Sequence, residues 1–312
     1  MSDPMSVSVV IPCYSERRWD QLVAAVASAW AQQPRPERVV VVVDHNDALL
    51  ARAAHELPEG TVVVANESQR GASGARNTGV RHTTSPVIAL LDDDATARPG
   101  WLAGLLAPFA DPAVVGTGGA IAPAWEQGRP RWFPDEFLWV VGASYRGMPT
   151  GPARVRNVWS ESMAVRRDAF LAVGGFRVGF GKVGERARPE DTDLCLRMGA
   201  DGGAWVYNPA SVIDHLVPAA RSTLRFFVAR SANEGRGKIE LARLNLGRES
   251  LGSEQDYARE LPRAAVRSLL RGDLGQAFAL VAGAGAAAAG AGYEWAFGAR
   301  RHQAPQPAVD PA

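Results

Sequence analysis

Residues 92–94 of this 312-residue chain are three consecutive aspartates, and they follow five apolar residues, 87–91, without a break. Neighbouring carboxylates repel one another, so such a run needs something to hold it. A divalent cation would do so. Hard oxygen ligands suit Mg2+ or Mn2+, and Mg2+ commonly takes one or two carboxylates and completes its shell with substrate phosphates. Asp92-x-Asp94 therefore points to a site for a nucleoside diphosphate with metal. One aspartate would suffice to cap the helix that follows; three exceed what capping requires. The chain has no GxxxxGK[ST] pattern, and "GASGAR" (71–76) is not GxGxxG, so the cradle reads as acid plus metal rather than a glycine nest. A second acidic pair, Glu190 and Asp191, opens "EDTDLCLRMGADGG", a segment that starts with acids and ends with glycine as a helix favours. Alone, that pair is an ordinary helix start.

The elements that must position these residues alternate over residues 1–122. "VSVVIPCY", "RVVVVVD", "TVVVAN", "PVIALLDDD" and "AVVGTGGAI" read as short, largely β-branched strands. Between them, "WDQLVAAVASAWAQQ" (with Leu22, Val26 and Trp30 four apart), "DALLARAAHEL", "SGARNTGVRH" and "PGWLAGLLAPF" read as helices, with Pro99 in the first turn of the last. Strands alternating with helices imply a doubly wound, mostly parallel sheet. Ligands of such sheets bind outside the carboxyl ends of the strands. Pro12 and Tyr14, Asp44, Asn66 and Asp92–Asp94 all stand there.

After Pro123 the pattern loosens. "PAWEQGRPRWFPDEFLW" reads as loop with short elements, "ESMAVRRDAFLAVGGF" as strand and short helix, and "AWVYNP" and "ASVIDHLV" as two strand pieces. "GFGKVGERARP" is glycine-rich and basic, and suits either a lid closing on a diphosphate or a solvated loop. From Arg221 on, the chain reads as helical.

Taken in order and spacing, "VVIPCYSE", "VVVVVDHND", "GASGARNTGV", "LLDDDATARPGWL", "GGF" and "PEDTDLCLR" resemble the inverting glycosyltransferases of family 2. The resemblance covers roughly residues 6–240. It implies a GT-A-like, Rossmann-related α/β fold, with helices on both faces of the sheet, and transfer from a nucleotide-sugar donor, most often a UDP-sugar, with Mn2+ or Mg2+. By the same resemblance Pro12, Tyr14 and Glu16 line the nucleobase pocket, and Asp44 bonds the base or ribose, although His45 and Asn46 replace the usual acidic and glycine residues. Arg76 and Asn77 support the nucleotide pocket, Asp92 approaches the ribose, and Asp93 takes a share through water. Asp94 and His215 bind the metal, and Asp191 is the catalytic base with Glu190 beside it. Trp159 and Glu161 stand where the family has smaller residues and are expected to meet sugar or acceptor. The chemistry agrees: leaving-group charge needs a Lewis acid, and an attacking hydroxyl needs one carboxylate base.

The expected organisation is a catalytic domain at 1–220 (nucleotide half 1–122, acceptor half 123–220), a basic helical extension at 221–300 and a disordered, Pro-rich tail at 301–312. Arg259, Arg263, Arg267 and Arg271 repeat every four residues, which suits an anionic membrane surface or a solvated face. The uncharged stretch 274–293 approaches the length of a bilayer span, but its Ala/Gly composition favours a hairpin of small-residue helices or a monotopic contact. Net charge is +1, which gives no global field for nucleic acid. The two cysteines, Cys13 and Cys195, fit a reducing compartment, and the start of the chain lacks the basic and apolar regions of a signal peptide. The expected setting is cytoplasmic, with peripheral contact to the membrane's cytoplasmic face. The acceptor is expected to be a glycan, lipid-linked or small-molecule hydroxyl. Two other readings stay open: a sugar-nucleotide nucleotidyltransferase, whose usual glycine-rich loop after the first strand is absent from "IPCYSERRWD", and a non-catalytic sugar-binding scaffold.

Overall fold

The computed structural model describes residues 5–178, 181–183, 186–243 and 252–301. In chain order the elements are β1 (Val7–Cys13), α1 (Trp19–Trp30), β2 (Arg38–Val43), α2 (Asp47–Glu56), β3 (Thr61–Ala65), α3 (Ala72–Arg81), β4 (Val87–Leu91), β5 (Ala95–Ala97), α4 (Trp101–Leu106) and β6 (Val114–Trp125). Then follow β7 (Ala153–Val155), β8 (Ser162–Arg166), α5 (Arg167–Ala172), β9 (Gly181–Val183), β10 (Arg186–Arg188), α6 (Glu190–Gly199), β11 (Ala204–Val217), α7 (Leu224–Arg243), α8 (Gly252–Leu270) and α9 (Leu274–Arg301). They fall into two compact units. One comprises Met1–Pro130 and Asp135–Ser222, the other Arg131–Pro134 and Thr223–Ala312.

The first unit is built on one sheet of order β3-β2-β1-β4-β8-β6-β11-β5, with β7 also paired to β11. Strands β3, β2, β1 and β4 run parallel. β8 enters antiparallel between β4 and β6, and β6 and β11 are parallel again. The valine run of β2 is buried on both faces, as its unbroken apolar character requires. Val10, Val42, Leu90 and Met163 share one face with Ala75 of α3, Phe170 of α5 and Leu194 of α6. On the other face α4 docks against β6, β8 and β11, with Trp101 Nε1 donating to Ser162 Oγ at 3.0 Å. Cys13 and Cys195 are buried and free, and burial pushes both thiols upward.

Three local expectations change. α4 begins at Trp101 behind Gly100, whose φ of 85° suits only glycine, so Pro99 precedes the helix rather than entering it. "PAW" continues β6 instead of starting a loop, because β11 pairs with it as far as Val217 and Trp125. The two predicted strand pieces are one strand, β11, interrupted by a register shift between Asn208 and Val212. Pro209 stands there, without an N–H for the ladder. Ser211 of the bulge donates to Trp101 O at 2.7 Å, and Asn208 Nδ2 donates to Gly104 O at 2.9 Å, tying it to α4. Of the basic glycine-rich segment, β9 and β10 form a two-stranded antiparallel ladder; residues 179, 180, 184 and 185 lie outside the described ones.

In the second unit the rings of Trp132, Phe133 and Phe227 meet at 5.2–5.5 Å, so a short piece of the middle of the chain joins the helical end. α9 is one continuous helix, not a hairpin. It lies along α7 at small residues: a Cβ on Gly235 would strike the Ala287 carbonyl, and one on Gly290 the Ala232 carbonyl. That close backbone approach outweighs the intrinsic cost of helical glycine. Part of the basic character of α7 is answered internally. Glu234 pairs with Arg230 at 2.9 Å and Lys238 at 3.6 Å, and Arg236 stacks on Tyr293. The expected disordered tail falls almost wholly on 302–312, outside the described residues.

Candidate active site

The acid run leaves β4 at the carboxyl end of the sheet, and cations from three separate elements converge on it. Arg18, in the 3-10 turn Glu16–Arg18 after β1, donates to Asp93 Oδ1 at 2.7 Å and lies 3.1 Å from Asp94 Oδ2. Arg76 of α3 donates to Asp92 Oδ1 at 2.7 Å. His215 reaches Asp94 Oδ1 with Nε2 at 3.4 Å, because β11 pairs antiparallel with β5 and sets His215 opposite Ala95. The divalent cation expected to hold the run is therefore not its sole compensation. The fold itself supplies compensating charge. Arg18 escaped the sequence reading, although "SERRWD" places a cation after β1 at the same end of the sheet as the aspartates.

Arg76 is the hub. The residue is 3% exposed, and its guanidinium also donates to Glu190 Oε1 at 2.9 Å and stacks over Phe176. Ser73, at the start of the same helix, donates to the other oxygen of Glu190. One side chain therefore joins the acid run to the first turn of α6, although the two are far apart in sequence. Asn77 has a different task from the expected one. It bonds the backbone of Phe176 in both directions, at 2.8 and 2.9 Å, and so pins the "GGF" turn that leads toward α6.

Asp191 begins α6 as expected. Its carboxyl is pushed up to about 7, first by burial and then by Glu190, against the pull of Arg76 and of hydrogen bonds from Ser160. Glu161 is also pushed up to about 7 by burial; Asp92, Asp191 and Asp94 add to this and His215 opposes it. A Cβ on Gly142 (φ 73°) would touch both Glu161 and His215, so this turn closes over them. Asp93 is raised to about 7 by burial despite Arg18. Burial also acts on Asp94, but His215, Arg18 and Arg221 outweigh it and bring the group to about 2. Asp94 therefore stays ionised at a pH where Asp93 is partly protonated.

Pro12, Tyr14, Arg18, Asp44, Arg76, Asp92 and Asp93 line an open pocket. Asp44 sits in its wall largely committed to protein: it accepts from Asn66 Nδ2 at 2.6 Å and from the Gly71 N–H at 2.8 Å, and lies 2.9 Å from His45 Nδ1. Asn46 caps α2 by accepting from the Leu49 N–H. Glu16 is exposed in its turn and does not line the pocket. Trp159 is half-buried beside Tyr145, next to the Ser160 that holds Asp191.

These shifts set a pH dependence. Asp191, Glu161 and Asp93 have folded-state values above the unfolded values of about 4. Their contribution to stability is therefore full below the unfolded value and is lost as pH rises through about 7. The ligand-free protein should melt higher near about pH 5 than near about pH 8. A melting temperature that rises over that interval in thermal scans would contradict the burial described above.

Among the described residues no group of three or more His, Cys, Asp or Glu side chains forms a complete metal cage. The residues do fit a cation that takes few protein ligands. Asp94 is held ionised, and His215 Nδ1 is buried without a hydrogen-bond partner, as are Oδ2 of Asp93 and Oδ1 of Asp191. Buried polar atoms are seldom left so, and these three belong to residues in or beside the acid cluster.

Comparison with known proteins agrees with the geometry. The profile described as glycosyl transferase family 2 matches residues 8–174. A glucosyl-dolichyl phosphate glucuronosyltransferase of Haloferax volcanii is 33% identical over 239 residues, covering 75% of this chain and 76% of the relative. A pre-mycofactocin glycosyltransferase of Mycobacterium tuberculosis is 32% identical over 181 residues, 58% of this chain and 37% of its own length. Among solved structures, the mannosyltransferase PcManGT from Pyrobaculum calidifontis, in complex with GDP-Man and Mn2+, superposes with a TM-score of 0.58 at 17% identity. That match covers 92% of this chain and 87% of the other, and at this identity it is a likeness of fold.

Proposed function

Since the chain belongs to glycosyl transferase family 2 and has the GT-A fold, we propose that it is an inverting, metal-assisted enzyme that moves a sugar from a UDP-sugar to a lipid-linked or envelope glycan acceptor. The coarser activity, glycosyl transfer from a nucleotide-sugar donor, goes with the family. The observation that carries the finer reading is Arg76, which bonds Asp92 and Glu190 together and so holds the acid run and Asp191 in one buried site.

In this reading Asp191 takes the proton of the acceptor hydroxyl as that oxygen attacks the anomeric carbon, with its free Oδ1 as the receiving atom. Its raised value, about 7, places it near the pH at which a base is most useful. Direct attack on the face opposite the leaving diphosphate inverts the centre and needs one base. Glu190 and Ser160 orient Asp191, and Asp92 and the pocket walls around Pro12, Tyr14 and Asp44 hold the nucleoside. Glu161 and Trp159 face the sugar side. Asp94 and His215 would hold Mn2+ or Mg2+, which when bound supplies Lewis-acid neutralisation of the diphosphate leaving group. The name of the Haloferax relative states a lipid-phosphate-linked acceptor for that protein, which supports the same acceptor class here; with it goes the proposal of a cytoplasmic, membrane-peripheral setting.

Asp94→Asn tests the site without relying on the acceptor. UDP with Mn2+ should stabilise the unaltered protein by about 2.7 kcal/mol at roughly a hundredfold excess over Kd. The variant should keep its fold and lose nearly all of that gain. Equal stabilisation of the two proteins, measured by thermal shift with and without Mn2+, would remove Asp94 from the metal site.

A further inference from the structure

Exposed bulky apolar side chains are distributed unevenly in this molecule. Among the described residues, Tyr14, Leu171 and Val178 are the large exposed hydrophobics of the first unit, and the other eleven belong to the second. Most of these gather at the corner between α8 and α9. Leu270 is 83% exposed, Leu274 68%, Phe278 61% and Val281 66%, with Val266 and Leu269 beside them on α8. Along α9 the exposed positions Leu274, Phe278, Val281, Gly285, Ala288 and Gly292 recur at alternating four- and three-residue steps, and Trp295 takes the next step. That spacing makes one uncharged ridge about 30 Å long on the helix surface. A contiguous apolar surface of this kind on a folded protein marks a place where something docks.

We infer that this face of α8 and α9 lies in the plane of an anionic membrane surface, with the apolar ridge in the headgroup boundary and the α8 arginines on lipid phosphates. Charge selects the occupant. At 100° per residue, Arg259, Arg263, Val266 and Leu270 share the outward side of α8, while Ala264 and Ser268 face inward and are buried. Leu269 and Leu270 are exposed together with these arginines. Arg267 and Arg271 flank the same corner. From 259 to 273 the helix and corner carry four arginines against two acids, Asp273 and Glu260, the latter pairing with Arg263 at 2.6 Å and lying 3.8 Å from Arg267. Long cationic side chains beside exposed leucines can extend to headgroup phosphates while the apolar residues sit deeper. A two-fold contact with a second copy would instead bring these arginines toward their own counterparts.

Donor and acceptor do not enter this inference, so it stands or falls separately from the proposed reaction. Full-length, ligand-free protein is sedimented with vesicles of phosphatidylcholine, or of phosphatidylcholine and phosphatidylglycerol in equal parts. The protein should pellet with the anionic vesicles and be released by salt. Leu270→Asp with Phe278→Asp should lower that partition by about tenfold or more. Arg263→Glu with Arg271→Glu should lower it on anionic vesicles and change little on neutral ones. Circular-dichroism melts should be unchanged, since all four side chains point outward. Protein that stays in the supernatant with both vesicle types, or variants that bind as well as the unaltered chain, would overturn the inference. So would a concentration-dependent dimer that the Leu270/Phe278 variant abolishes, seen without any vesicle binding.

Discussion

Asp191→Asn is expected to lower kcat by about a hundred- to ten-thousand-fold, the range a positioned base contributes, while UDP and Mn2+ still stabilise the protein. Asparagine keeps the volume and the contact with Ser160 but cannot receive a proton. The residual rate should lose the rise through about pH 7 that the raised carboxyl imposes on the unaltered enzyme. A companion change sharpens the result. Asp193, two residues on in the same helix, is fully buried against Arg197 at 2.7 Å and Arg177 at 3.1 Å. Asp193→Asn should therefore cost stability, measured in urea, and leave the pH profile in place. If Asp191→Asn retains full turnover, the base lies elsewhere, and Glu161 and Asp93 are the other raised carboxyls of the cluster.

Arg76→Met is expected to destabilise the fold by about 3–5 kcal/mol, because it leaves Asp92 and Glu190 facing each other without their shared cation in a largely buried place. Arg76→Lys should recover only part of this. A single ammonium cannot reproduce the two-sided fork that reaches Asp92 at 2.7 Å and Glu190 at 2.9 Å. Urea denaturation of the three proteins at one pH reads the difference directly. A midpoint for Arg76→Met within error of the unaltered chain would mean that Asp92 and Glu190 are solvated or held by others, and that Arg76 does not join the two parts of the site.

These two residues also mark how far the sequence could be read. Asp92–Asp94 were placed at the end of a buried strand from local pattern alone, and Asp191 at the start of a helix, because a valine-rich run and an acid-led, glycine-ended segment each carry their own signal. What Arg76 does was not legible. Its role is a contact between a strand end and a helix start that are neighbours only after the sheet has formed. The same holds for Arg18 on Asp93 and for Gly142 over Glu161 and His215. No periodicity records which loop lands on which. β11 shows the converse. Pro209 looked like a strand end, yet long-range pairing with β6 carried the strand past it as a bulge. The Ala/Gly-rich end of the chain looked prone to break, yet packing of α9 along α7 at Gly235 and Gly290 keeps it as one helix.

Direct displacement on a nucleotide sugar by one base leaves a stereochemical record. The measurement that reads it most directly is the anomeric configuration of the product. UDP-sugars with α-linked anomeric centres are incubated with the enzyme, Mn2+ and a panel of lipid-linked and simple glycoside acceptors. The product of any active pair is then examined by proton NMR, alongside identification of the released nucleotide. A β-linked product with UDP released is predicted. An α-linked product, or pyrophosphate in place of UDP, would contradict it.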